Sequence, residues 1–140
     1  MALTAVTSIG RVDLPAGFTG LSLSTGGQLK LQATVVEFTV NVAGDYSAGN
    51  GFLYSTIVAA INAAAATVPP TVPVTSTLTN IVGAQVLSIR NGATSRNIIS
   101  INNHASATPG VQAFIFAVTP TIAEYTVTAS DIVRLLVIGL

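Results

Sequence analysis

Ten charged side chains in 140 residues constrain this chain more than any motif it carries. Five Lys or Arg and five Asp or Glu make up 7% of the sequence, where an ordinary soluble domain carries roughly a quarter. For a mass of 14.2 kDa, the scaling of folded surface gives roughly 6,800 Å² of accessible area, or about one charge per 680 Å². The formal net charge is zero, so neither mutual repulsion nor a charged coat opposes association. The surface must be covered by Ser, Thr, Asn and Gly, by neighbouring subunits, or by both in patches. With 50% hydrophobic residues, the chain lies outside the disordered class. Its length fits a single β-rich domain spanning 1–140, with residues 1–27 readable as an N-terminal arm.

This segment, an arm or short strands joined by turns, is punctuated by Gly10, Pro15, Gly17, Gly20 and the pair Gly26-Gly27, with short apolar pieces between them. From Leu29 to Val42 apolar residues occupy odd positions (Leu29, Leu31, Ala33, Val35) and then even ones (Val36, Phe38, Val40, Val42). One apolar face survives that flip only if an extra residue is inserted, which predicts a β-bulge or a sharp bend near Val35-Val36. A turn-rich loop with Gly44, Asp45, Ser47, Gly49 and Gly51 leads into an Ala-rich segment predicted as a buried helix over about 51–67, capped by Asn50 or Ser47. Ser55 and Asn62 form its one polar stripe, so the remaining circumference needs cover. Pro69 and Pro70 end it, with 67–73 as an extended connector. Strand patterns follow at 84–90, 97–102, 111–118, 122–128 and 131–138, separated by turn signals such as Asn91-Gly92. The segment QAFIFAV is apolar on both faces and should be central, whereas IAEYTVT should turn Ala123, Tyr125 and Val127 inward. The expected fold is mainly β, an antiparallel sandwich or meander with one buried helix.

Chemistry finds little support. His104 is the only histidine, and it sits in a polar loop with no second catalytic feature, so it reads as an ordinary surface residue. Asp13, Glu37, Asp45, Glu124 and Asp131 show no spacing typical of a paired-carboxylate or metal site. Without cysteine there is neither a thiolate site nor a disulfide framework. The glycines from 44 to 51 lack the Gly-Lys-Ser/Thr ending of a phosphate loop. Phe114 and Phe116 share a strand face, but no flanking Lys or Arg accompanies them, so core packing accounts for them better than base stacking. Glu37 and Glu124 interrupt apolar strands; solvent-face positions are expected, the alternative being pairing with Arg90 or Arg134. No catalytic residue, cofactor or metal is assigned. Arg11, Lys30, Arg90, Arg96 and Arg134 form no run, which argues against nucleic acid. The stretch 52–68 carries Ser55, Thr56, Asn62 and Thr67 and stops at prolines, which argues against a membrane span. The N-terminus has no basic and apolar sequence typical of a secretory leader.

The pattern that remains is one of assembly. The tail DIVRLLVIGL is apolar on both strand faces except at Arg134, so it must be covered twice, inside a sheet or at a subunit contact. The contact candidates are Leu14, Phe18, Leu21 and Leu23 from the arm and Leu135, Leu136, Ile138 and Leu140 from the tail. An arm of the form Arg11-Val12-Asp13-Leu14-Pro15-Ala16-Gly17, a β-rich remainder, abundant Thr, Val and Ala, and no catalytic set together resemble the decoration or cement proteins of tailed bacteriophage capsids. The Ala-rich helix departs from the simplest all-β members. The resemblance implies a homo-oligomer, with a trimer favoured, seated on the major capsid protein or another virion protein. It also implies a virion assembled in the host cytoplasm. A tail-tube or head-completion protein would share this composition, and a small-ligand module or enzyme is the outsider. A deep pocket at Glu37, Glu124 or His104 would favour that outsider.

Overall fold

The computed structural model describes residues 3–14, 31–41, 46–47, 49–73, 77–104, 108–116, 122–126 and 128–140. Nine strands and one helix follow in the order β1 (Thr4–Leu14), β2 (Leu31–Thr39), β3 (Phe52–Leu53), α1 (Tyr54–Ala65), β4 (Ile81–Asn91), β5 (Thr94–Arg96), β6 (Ile98–Asn103), β7 (Gly110–Phe116), β8 (Ile122–Glu124) and β9 (Ile132–Gly139). They form two antiparallel sheets. One has the order β1-β2-β9-β4-β5; the other has β3-β7-β6, with β8 paired to β7. Thr4–Leu14, within the segment read as an arm or short strands, is one long edge strand, and Leu3 and Val6 reach the core.

The parity flip in β2 has a different solution from the expected bulge. Burial alternates without interruption along β2, with Gln32, Thr34, Val36 and Phe38 inward, and its register with β9 is continuous. Two polar residues can face inward because the Gln32 amide donates to the Thr77 carbonyl at 2.9 Å and the Thr34 hydroxyl lies 3.5 Å from Gln32 Oε1. Leu31, Ala33 and Val35 therefore turn to the opposite face. The extra residue lies in the neighbouring strand: β1 passes from Ser8, opposite Val36, to Gly10, opposite Val35. Strand β4 carries two further irregularities, between Ile81 and Gly83 and between Val86 and Ser88. They keep Ile81, Ala84, Val86 and Ile89 inside and turn out Val82 and Leu87, which are 50% and 43% exposed.

Central position explains the apolar tail. Strand β9 lies between β2 and β4, and Val133, Leu135 and Val137 are fully buried. Strand β7 is central too, with β6 along one side and both β3 and β8 paired to it. At its neighbour β8 the expectation is corrected. Tyr125 is buried, but Ala123 is exposed, and the strand ends at Glu124, before Tyr125; Val127 lies outside the described residues. The hairpin β4-β5 turns at Gly92-Ala93, where Gly92 has φ +57°, as a tight hairpin needs at its first loop position.

Helix α1 buries Tyr54, Ile57, Ala60, Ile61, Ala64 and Ala65. Two such isoleucines contribute roughly 1.5–3 kcal/mol each before ordering entropy. Its N-cap is Leu53, without a side-chain cap, in place of Asn50 or Ser47; the Tyr54 N–H instead donates to the Pro109 carbonyl at 2.9 Å. Asn62 is not part of a solvent stripe. Its amide donates to the Leu78 carbonyl and accepts from the Leu78 N–H, both at 2.8 Å. The open stripe is Ser55, Ala59 and Ala63, tolerable because an exposed methyl group costs little. The segment after the helix folds back instead of extending: the Thr71 N–H reaches the Ala64 carbonyl at 3.2 Å, and Val72 is buried.

The sheets are joined along β4 and β6 by side chains. Opposite β9, the Ala84 N–H donates to Asn102 Oδ1 and the Val86 N–H to Ser100 Oγ, each at 2.9 Å. Residues two apart on β6 thus serve amides two apart on β4, extending a ladder with side-chain acceptors where no strand of the described residues is paired.

Candidate functional site

Two places carry more than core packing: the outer face of the five-stranded sheet, and a cleft beside His104. On the outer face the register sets side chains in rows across β2, β9 and β4. Ala33, Ile138 and Gly83 form one row, Val35, Leu136 and Gln85 the next, and Glu37, Arg134 and Ser88 a third. Leu31, Val35, Ile132, Leu136, Ile138 and Leu140 are half-buried there. The helix and second sheet send their buried side chains to the core on the other side.

One charge cluster interrupts this apolar face. Glu37 accepts from Arg134 Nη2 at 3.0 Å and from Arg90 Nη2 at 3.2 Å. Glu37 lies on the outward face, as the solvent-face expectation has it, and also pairs with Arg90 and Arg134 as the alternative has it. Cross-strand placement of Arg134 opposite Glu37 brings the charges together at no cost in backbone distortion. Both arginines are more than two-fifths exposed, so the pairs add little to stability but leave two guanidiniums sharing one carboxylate.

Glu124 does something else. Its carboxylate accepts from the Tyr46 hydroxyl at 2.9 Å, the Gly49 N–H at 3.1 Å and the Gln112 amide at 3.3 Å, tying the 46–51 turn to β7 and β8. Tyr46 also meets Phe52 edge-on, with ring centroids 4.9 Å apart. Burial, followed by the neighbouring carboxylate, holds the Tyr46 phenol well above its ordinary value, although the Ala113 backbone bond opposes this.

The contact candidates divide. Leu135 is fully buried in the subunit's own core, so it does not face a partner. Leu136, Ile138 and Leu140 lie on the outer face, half-buried. Leu14 ends β1 opposite Leu31. Phe18, Leu21 and Leu23 lie outside the described residues.

The cleft, about 540 Å³, opens between the start of α1, the residues before β4 and the end of β6. Tyr54, Ser55, Thr79, Asn80, His104 and Thr108 supply its polar lining, over Val58 and Ile81. The His104 ring stands edge-on to Tyr54, 5.8 Å between centroids. Tyr54 donates to Asn102 Oδ1, and burial raises its phenol pKa. No Asp or Glu lines the cleft among the described residues, so a histidine base would have no carboxylate to orient it. The cleft can take an uncharged ligand by hydrogen bonding.

No family model matches the chain, and searches of characterised proteins and of solved structures return no match. Among the described residues no group of three or more His, Asp or Glu side chains could hold a metal ion. Nor is any helix there long and apolar enough to cross a membrane. The outer face was visible in the sequence as the second apolar side of β9. The cleft was not, because Tyr54, Thr79 and His104 are brought together from three distant segments.

Proposed function

We propose that this chain is a non-enzymatic virion structural protein, a homo-oligomeric decoration or cement protein that stabilises a phage capsid by bridging coat subunits. The observation that carries the assembly part is the outer sheet face: apolar side chains in register on the adjacent strands β2 and β9, with one ion-paired cluster, on a chain of ten formal charges. Such a face gains by being covered. The virion part rests on the resemblance in composition and N-terminal sequence. Electron microscopy of particles from cells producing the protein, with antibody labelling, tests it. Label on the capsid exterior is the expected result. Label on rings or filaments would assign the chain to a tail tube or head-completion structure instead, and absence of particles would overturn the virion reading.

The cleft favours a second reading, a module that binds a small uncharged ligand. Its volume falls within the range of about 300–1,000 Å³ common for ligand sites. Screening neutral hydroxylated compounds by NMR, while following the His104 ring, tests this. Saturable shifts confined to His104 and the Tyr54 ring would support it; none across the screen would dismiss it.

A further inference from the structure

We infer that the outer face of the five-stranded sheet is covered by a second copy of this chain, with Gly83 at the place of closest approach. The inference rests on the assembly reading above and adds where the copies touch. Gly83 is the third residue of β4, opposite Ile138 of β9, which in turn lies opposite Ala33 of β2. A glycine in a strand loses more backbone entropy on folding than other residues and packs no side chain, so it needs a reason. For other glycines the reason lies inside the subunit. A Cβ at Gly110 would stand 2.3 Å from the Asn50 carbonyl oxygen and one at Gly139 2.4 Å from that of Asn80, while Gly49 and Gly92 have φ of +80° and +57°. Gly83 has neither cause: its φ is not left-handed, and a Cβ there would meet nothing within 4 Å among the described residues. The adjoining irregularity at Val82 therefore does not demand glycine either. What the bare backbone does supply is a dip in the side-chain relief of the face, beside the small Ala33 and Ile138, where another chain can approach closely.

A second copy fits this face in area and charge. Five strands about 4.8 Å apart, of about eight residues at roughly 3.3 Å each, present about 600 Å² of flat sheet. That is of the order of the roughly 800 Å² which each partner commits to a stable interface. Copies with zero net charge do not repel one another. The Glu37, Arg90 and Arg134 cluster interrupts the apolar positions between Leu136 and Ile132, where partly exposed charges set register more than affinity.

Sedimentation velocity at micromolar concentration, on the wild-type chain and three variants, tests the inference. Gly83→Lys should keep the circular dichroism and melting temperature of the subunit and fall to monomer mass, with self-association at least tenfold weaker. Val82→Glu, at a side chain half exposed in the subunit, should weaken it in the same direction and decides the matter alone if Gly83→Lys does not fold. Val68→Glu, 97% exposed after α1, should change nothing. An oligomeric wild type whose mass survives Gly83→Lys and Val82→Glu would overturn the inference and leave the assembly reading standing. Equal dissociation by Val68→Glu would also overturn it. A monomeric wild type would overturn both.

Discussion

Asp131 shows how a single charge is kept in a chain with so few. It is fully buried; burial alone would raise its pKa, but hydrogen bonds from the Tyr125 hydroxyl, the Thr128 N–H and the Asn91 amide hold it below the usual carboxylate value. A depressed folded pKa stabilises the native state above the unfolded value of about 3.9, and that contribution is lost as pH falls through the folded value. Asp131→Asn should cost about 2 kcal/mol near neutrality and flatten the acid limb of a stability profile measured by urea unfolding. The tyrosines act at the other end. Burial, then the bond to Asp131, pushes the Tyr125 phenol up to about 12, and Tyr46 and Tyr54 are raised too. Their contribution is complete below the ordinary phenol value of about 10 and is lost as pH rises above it. Phenolate absorbance should therefore stay low at pH about 10 and rise together with unfolding; free titration at that pH in the folded protein would contradict the burial. His104, exposed and with one edge-on ring contact, should tolerate His104→Ala within about 1 kcal/mol by the same unfolding assay. Residue roles were only partly legible in the sequence. The scarcity of chemistry could be read directly, whereas the partners of Glu37, Glu124 and Asn62 lie 12 to 97 positions away.

At the scale of elements, alternation and turn residues located most strands and the helix, because those signals are local. Insertions were less legible. Apolar parity in β2 pointed to a bulge within that strand, but buried hydrogen-bonded Gln32 and Thr34 let it run straight and moved the extra residue into β1. The side-chain link between β4 and β6 has no sequence signature, since Ser100 and Asn102 look like ordinary strand-end polars. Asn102→Ala removes the acceptor for both the Ala84 N–H and the Tyr54 hydroxyl. It should cost about 1–2 kcal/mol in thermal or urea unfolding. Strand β9 is a firmer dependence: deleting Val133 to Leu140 removes the strand between β2 and β4 and should abolish the native circular dichroism. Leu135→Asp, placing a carboxylate at a fully buried site, should do much of the same damage. A deletion variant with unchanged circular dichroism would show that β2 and β4 do not need their shared neighbour.

For the whole molecule, the core accounts for the inward faces of the five-stranded sheet and leaves the half-buried apolar residues of β2 and β9 on its outer face outside it. Composition anticipated that outcome, because ten charges cannot coat a domain of this size. It could not say which face would be left, since that depended on β9 becoming central and on the parity kept by β2. The same composition has a consequence for handling: solubility near the calculated isoelectric point of about 6.5 depends on that face being covered. The central claim is that this protein functions as a subunit among subunits. Sedimentation velocity of the purified wild-type chain at micromolar concentration tests it most directly. A discrete species of two or more chains is the predicted result, and a single 14.2 kDa species that stays monomeric as concentration rises would contradict the account.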